Sequence, residues 1–390
     1  MTLSGKTAIA GIGATEFSKK SGRSELQLAA EACLAAIKDA GLSPSDIDGL
    51  VTYSGDSNTE IAVARELGID QTGLTFFSRV DYGGGAACGT VAHAAMAVAT
   101  GQAKAVVCYR AFNERSGRRF GQANKDDRQP DSLGMEFSWH LPYGFATPAS
   151  WAAMYGQRYL HDYGATSEDL GRVAVAMRRH AATNPAAWFY ERPITLQEHQ
   201  ESRWIVEPLH LLDCCQESDG GVAIVVTSVE RARDLPQTPA IISAAAQGSG
   251  AGQFMMFGYY GPPGLAELPA VGVVAEQLWR QSGLQAPDVQ TAILYDAFTP
   301  FVLVQLEEYG FCARGEARDF IKDGGIELDG HLPVNPNGGQ LGEAYIHGMN
   351  GIAEGVRQIR GTSVNQIADV ENVLVTAGTG VPTSGLILTS

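Results

Sequence analysis

Short apolar runs alternate with amphipathic stretches along most of the chain, the pattern of strands and helices in turn. Residues 34–53, LAAIKDAGLSPSDIDGLVTY, predict the end of an amphipathic helix stopped at Gly41. A turn with Pro44 and Asp46 follows, then a buried strand. A glycine just past a helix suits the left-handed C-cap. Residues 277–295, QLWRQSGLQAPDVQTAILY, repeat the order with Gly283, Pro287 and Asp288. Gly283 follows Gly41, and Tyr295 follows Tyr53, by the same 242 residues. Further matches keep this order. Gly83-Gly84-Gly85 is expected to open a small-residue helix over 86–100, with a strand at 105–108. Gly338-Gly339 is expected to open a helix running through Arg360, with a strand at 373–375. Each half is expected to close with a glycine turn and a strand, ending at Thr227-Ser228 or Thr389-Ser390. A repeat on this scale predicts two similar β/α halves, 1–235 and 236–390, forming two stacked mixed sheets with helices between and outside.

Between the parts of the first repeat lies an insertion, roughly 112–210, richer in charge and aromatic residues. Helices are predicted at 148–163 and 167–184, the second started by Ser167-Glu168-Asp169. An insertion of this length suggests a lid or binding wall, or a subunit interface. A second segment, 247–263 (QGSGAGQFMMFGYYGPP), combines glycines with Phe254, Met255, Met256 and Tyr259, which suits an adaptable apolar surface. The most apolar long stretch, Val91 to Tyr109, is interrupted by His93, Gly101, Gln102 and Lys104. It reads as a buried helix and a strand rather than a membrane span.

Composition narrows the function classes. The net charge is −15, and no Lys/Arg run appears, so nucleic acid and anionic lipid are not expected partners. No signal peptide is recognisable, so the expected location is cytoplasmic. Six cysteines without a CxxC pair read as reduced, buried thiols. No metal site is expected, because His140 and His347 lack partners at ligand spacing.

Several ordered motifs resemble the thiolase superfamily, specifically its sterol-carrier and lipid-transfer branch. They are Arg192-Pro193-Ile194-Thr195, Glu207-Pro208-Leu209, Leu212-Asp213-Cys214-Cys215, Ser218-Asp219-Gly220 and Asn335-Pro336-Asn337-Gly338-Gly339. The resemblance covers nearly the whole chain and implies a five-layer α/β/α/β/α fold. It also places the four catalytic loops of a thiolase. The nucleophile loop matches Ala86-Ala87-Cys88-Gly89, with Ala86 at the nucleophile position. The Asn-Glu-Ala-Phe loop matches Tyr295-Asp296-Ala297-Phe298, and the Gly-His-Pro loop matches Ala344-Tyr345-Ile346. The second-cysteine loop matches Thr376-Ala377-Gly378-Thr379-Gly380. Both cysteines, the histidine and the asparagine are replaced.

That replacement removes thiolysis, because acyl transfer needs a thiolate to hold the acyl group. Cys88 lies two residues further along a helix, about 200° around its axis. What survives is a backbone frame: the helix start at Ala86 and the glycine turn at Gly380, able to bind a thioester oxygen. Two phenols, Tyr295 and Tyr345, then supply proton transfer, one donating while a perturbed one accepts. Asp296 and His347 are supporting candidates that could tune or orient them.

The double-tyrosine variant is similar to the bacterial thiolase-like aldolases that cleave the sterol side chain. The resemblance implies retro-aldol cleavage of a β-hydroxyacyl-CoA. The implied substrate is a 17-hydroxy steroid side-chain CoA thioester, and the products are a 17-keto steroid and propionyl-CoA. It implies no cofactor beyond the substrate's CoA. It also implies a partner with an OB fold and a zinc ribbon, in some cases fused to a hot-dog-fold hydratase in an α2β2 assembly. A homodimer is expected, with the run 106–109 as the candidate sheet edge. The alternatives are a noncatalytic acyl-CoA or sterol carrier with a decayed site, and a thiolase using Cys88.

Overall fold

The computed structural model describes residues 3–81, 83–119, 132–253, 256, 264–379 and 381–390. Its strands are β1 (Thr7–Ala14), β2 (Gly49–Tyr53), β3 (Phe76–Val80), β4 (Ala105–Asn113), β5 (Trp204–Val206), β6 (Leu209–His210), β7 (Asp219–Ser228), β8 (Ala240–Gly248), β9 (Thr291–Ile293), β10 (Asn372–Ala377) and β11 (Thr383–Thr389). Hydrogen bonding orders them β3-β2-β4-β7-β1-β8-β11-β10-β9, with β5 and β6 apart as a small hairpin. The order is nearly a palindrome about the β1–β8 pair: β7 answers β11, β4 answers β10 and β2 answers β9. Even β3 has a vestigial counterpart, the parallel bridge between Ala292 and Val334.

The repeat read from the sequence underlies this symmetry. Helix Glu25–Asp39 is capped by the Ser24 side chain, which accepts from Gln27 N–H, and Gly41 beyond it has φ +69°. Helix Pro269–Ser282 ends at Gly283, φ +75°. Single 3-10 turns, Pro44–Asp46 and Ala286–Asp288, then lead into β2 and β9.

Side chains alternate across the strands, so each sheet feeds two cores. In β4, Val107, Tyr109 and Ala111 pack outward under helix Glu25–Asp39. Val106, Cys108 and Phe112 face a central layer built on helices Ala87–Ala99 and Met349–Arg360. Those two helices touch strands from both halves. A third core sits between the C-terminal strands and helices Pro269–Ser282 and Thr299–Glu308. Helix, sheet, helices, sheet and helices therefore stack as five layers.

Four details differ from expectation. The two sheets are not wholly separate, since β1 and β8 share an antiparallel ladder at Ala8–Ile241 and Ile9–Ala240. Asp219-Gly220-Gly221 is not a turn but the start of β7. There a Cβ on Gly221 would meet the Leu28 carbonyl at 2.8 Å. The run 106–109 is not an edge, because β4 lies between β2 and β7 and is buried there. The exposed edge is β3, where Phe77 is 60% exposed. Finally, the helix expected from Gly338 through Arg360 is two helices, Gly339–Gly342 and Met349–Arg360. The break between them carries His347 at φ +48° and Gly348 at φ +89°.

In the insertion, helix Pro148–Tyr163 has the expected bounds and helix Ser167–Ala182 stops two residues early. Phe254, Met255 and Tyr259 of the glycine-rich segment lie outside the described residues. No helix among the described residues is long and apolar enough to cross a membrane.

Candidate active site

The two phenols come from different loops and meet. Tyr295 follows β9, and its backbone is pinned on both sides. Its N–H donates to Thr376 Oγ1 at 2.8 Å, and its carbonyl accepts from Gln305 Nε2 at 2.9 Å. Tyr345 sits in the break between the two C-terminal helices, with its N–H donating to Ser218 Oγ at 3.1 Å. The hydroxyl oxygens are 3.0 Å apart and the rings lie edge to face, centroids 6.4 Å apart. Burial pushes both phenols well above their usual range. The hydrogen bond between them offsets burial at Tyr295 and adds to it at Tyr345. Burial favours the neutral form of both phenols.

The glycine run 83–85 has a purpose that its place before a helix does not reveal. A Cβ on Gly84 would stand 1.8 Å from the Tyr295 hydroxyl oxygen. Only a bare backbone lets that phenol lie there. Gly83–Ala86 forms a 3-10 turn ahead of helix Ala87–Ala99, and Ala86 is fully buried at the N-cap. On the facing turn, Gly378 has φ +78° and approaches Gly85 so closely that a Cβ would be 2.4 Å from Gly85 Cα. Gly380 lies outside the described residues. Cys88 is fully buried, its thiol aimed at the Val375 carbonyl at 3.6 Å, and burial pushes it far above the range in which a thiolate forms.

Asp296 and His347 both work through other groups. The Asp296 carboxylate accepts the N–H groups of Gln340, at 2.8 Å, and Leu341, at 3.3 Å. It thus holds the turn that leads to Tyr345. Burial pushes its carboxyl up to about 6 despite those hydrogen bonds. His347 packs its ring edge to face on Tyr345, centroids 5.0 Å apart, and stacks on Phe112 at 5.0 Å. The Arg110 Nε–H donates to His347 Nδ1 at 3.2 Å, and Arg110 forms a fully buried ion pair with Asp56 at 3.1 Å. Burial and the Arg110 charge hold the imidazole neutral, so its proton sits on Nε2. Glu343 is a second hub: Asn337 and Asn350 donate to Oε2 at 2.6 and 2.9 Å, and burial lifts the carboxyl to about 7.

Sequence reasoning missed Arg110 and Asp56. Arg110 could have been found by extending the strand: Cys108, Arg110 and Phe112 share one face at period two, and an arginine amid buried apolar neighbours demands a partner. Among the described residues no group of three His, Cys, Asp or Glu side chains is placed to hold a metal ion.

Residues 263–389 match the Thiolase C-terminal domain-like family. The chain is 69% identical to a steroid side-chain-cleaving aldolase of Thermomonospora curvata, over 99% of this chain and 98% of that protein. It is 66% identical to a 17-hydroxy-3-oxo-4-pregnene-20-carboxyl-CoA lyase of Mycobacterium tuberculosis, over 99% of this chain and all of that one. The chain belongs to the thiolase superfamily, in the branch of these two proteins. A solved Ltp2-ChsH2(DUF35) aldolase superposes with a TM-score of 0.96 at 67% identity, covering 100% of this chain and 99% of that one. Human mitochondrial 3-ketoacyl-CoA thiolase, 14% identical, superposes with a TM-score of 0.70 over the full length of both chains. The frame is therefore a thiolase frame, and the aldolase branch shares this chain's sequence at far higher identity.

Proposed function

We propose that this chain is a carbon–carbon lyase that cleaves a β-hydroxyacyl-CoA by retro-aldol chemistry. The substrate on this reading is a 17-hydroxy steroid side-chain CoA thioester, and the products are a 17-keto steroid and propionyl-CoA. The observation that carries it is the hydroxyl pair at 3.0 Å, in a site with alanine at the nucleophile position.

The pair suits a relay better than a separate acid and base. The β-hydroxyl O–H bond breaks and its proton passes to one phenol oxygen. That phenol's own proton moves across the hydrogen bond to the second. The Cα–Cβ electron pair becomes the thioester enolate as a ketone forms at Cβ. The second phenol gives its own proton to Cα in the same movement, so neither phenol oxygen carries two protons. The proton count closes without a long-lived phenolate, which fits two phenols whose burial resists ionisation. The reaction is redox-neutral, so we propose no cofactor beyond the CoA of the substrate. The frame at Ala86 and the Gly378–Gly380 turn is proposed to face the thioester oxygen.

We further propose a homodimer closed through the β3 edge, whose exposed Phe77 and free backbone groups favour pairing. A partner protein is proposed on the solved Ltp2-ChsH2(DUF35) aldolase, and its OB fold and zinc ribbon on the family resemblance. The test is incubation with a synthetic steroid β-hydroxyacyl-CoA, with and without such a partner, followed by mass spectrometry. A ketone together with propionyl-CoA supports the reading. Tight binding without turnover in both arms supports the carrier alternative.

A further inference from the structure

The wall facing the phenols is one strand stripe. Cys108, Arg110 and Phe112 of β4 point to the central layer, and Glu114 continues the same alternation just past the strand. Its N–H still donates to the Ser218 carbonyl at 3.3 Å, as the ladder would require. Ser218 therefore holds two neighbours at once, Glu114 through its carbonyl and Tyr345 through its hydroxyl. Phe112, two residues earlier on that stripe, meets the Tyr345 ring edge to face at 6.4 Å. Glu114 is 3% exposed, and its Oε2 has no hydrogen-bond partner among the described residues.

A buried carboxyl oxygen without a partner costs stability. Other buried carboxyls of the site region are bonded: Asp296 by two backbone N–H groups, Glu343 by asparagine amides. Glu114 has a backbone hydrogen bond from Ser218 to its carboxyl but leaves Oε2 without a partner among the described residues. The ionisable groups around it are Lys19, Arg110, Glu217, Cys215 and the two phenols.

We infer that Glu114, on the β4 stripe that packs on Tyr345 and tied to the Ser218 that holds Tyr345, is a third group of the active site and donates a hydrogen bond to the negative charge that cleavage develops. Burial, reinforced by Glu217, holds its carboxyl well above the usual carboxylate range, although a backbone hydrogen bond from Ser218 and the charges of Lys19 and Arg110 oppose this. On this inference it is a carboxylic acid whose Oε2 has no partner among the described residues and meets the developing charge when substrate arrives. Carboxylic acids kept neutral by apolar surroundings serve enolate chemistry in this way. No bond to Glu114 is made or broken; it donates to the oxyanion and keeps its proton. The inference rests on the retro-aldol reading.

Two variants test it. Glu114→Leu removes the donor and an unsatisfied buried polar group together. Its kcat should fall on the order of 10²-fold, the usual scale for one oxyanion donor, while its Tm should hold or rise. Glu114→Gln keeps an N–H donor but cannot ionise. It should stay within roughly tenfold of wild-type kcat and lose the alkaline fall in kcat that ionisation of Glu114 produces. Lys19, pulled down to about 8 by burial, loses the upward pull of Glu114 in both variants, so the infrared band rather than the pH limb assigns the proton to Glu114. Infrared difference spectra should show a protonated carboxyl band at neutral pH that vanishes in Glu114→Gln. Wild-type kcat in Glu114→Leu, or an unchanged alkaline limb in Glu114→Gln, overturns the inference while leaving the retro-aldol reading intact. Absence of ketone from the wild-type enzyme overturns the reading and the inference with it.

Discussion

Gly84→Ala adds one methyl group at the tightest point of the site. Its Cβ would stand 1.8 Å from the Tyr295 hydroxyl oxygen and 2.4 Å from Cζ, against the 3.4 Å at which ordinary contact begins. At the oxygen the deficit is about 1.6 Å (3.4 less 1.8). The phenol is held against rotation by its backbone, tied at N–H and carbonyl, and by its hydroxyl bond to Tyr345. Either the ring shifts, which breaks the 3.0 Å hydroxyl pair, or the 83–86 turn shifts, which displaces the helix start proposed to face the thioester. Misplacing a reacting group by about 1 Å costs on the order of 10²-fold in rate, and overpacking a core costs roughly 1–3 kcal/mol. The assay is kcat for ketone release together with Tm by calorimetry. Combining Gly84→Ala with Tyr295→Phe removes the nearest of the clashing atoms, so the stability cost of the alanine should shrink in that background. Wild-type kcat and Tm in Gly84→Ala would refute the idea that this glycine exists for the phenol.

Tyr295→Phe and Tyr345→Phe should each lose roughly 10²–10⁴-fold in kcat with near-native folding, and the double variant should lose less than the product of the two factors; additive losses would argue against a single relay. Cys88→Ser should keep substantial turnover, and iodoacetamide should leave Cys88 unmodified in the folded protein, which peptide mapping reads directly. Glu343 is raised to about 7 from 4.5, so its contribution to stability is present below about 4.5 and is lost as pH rises through about 7. Glu343→Gln gives up about 1 kcal/mol of hydrogen bonding but loses that titration. Its Tm should lie below wild type at pH 5 and close the gap by pH 8; a pH-independent gap would contradict the shift.

Much of the frame was legible because it is duplicated. A helix, a glycine cap, a proline turn and a strand recur at one fixed spacing, and two such units dictate mirrored strand orders. Tyr295 and Tyr345 were legible as positions, because each lies in a motif with fixed neighbours. Their state was not. Whether a phenol is acidic depends on what surrounds it in three dimensions, and burial by residues far along the chain sets that. The glycine run shows the same limit. Before a helix it reads as a flexible start, whereas its constraint comes from a tyrosine more than 200 residues away. The edge strand was misjudged for a different reason. The run 106–109 is apolar throughout, which marks a strand covered on both faces. Residues 76–80, FFSRV, alternate in burial and carry the edge signal.

The two halves contribute unequally, and the asymmetry explains how a thiolase frame came to host other chemistry. In the N-terminal half the glycine-led helix runs unbroken from Ala87 to Ala99; in the C-terminal half its counterpart is interrupted. That interruption is where Tyr345 and His347 sit, held open by Gly348 and by the Asp296 clamp on the preceding turn. Both phenols belong to the C-terminal half, within the stretch that matches the thiolase C-terminal family. The C-terminal half pins the Tyr295 backbone, and the N-terminal half supplies the facing wall: Gly84 beneath Tyr295, Ser218 on the Tyr345 backbone, and Arg110, Phe112 and Glu114 along and just past β4. A duplicated fold places these two sets face to face across its central layer. Removing the nucleophile at Ala86 leaves that meeting point intact, so new proton chemistry needs new side chains on loops but no new architecture.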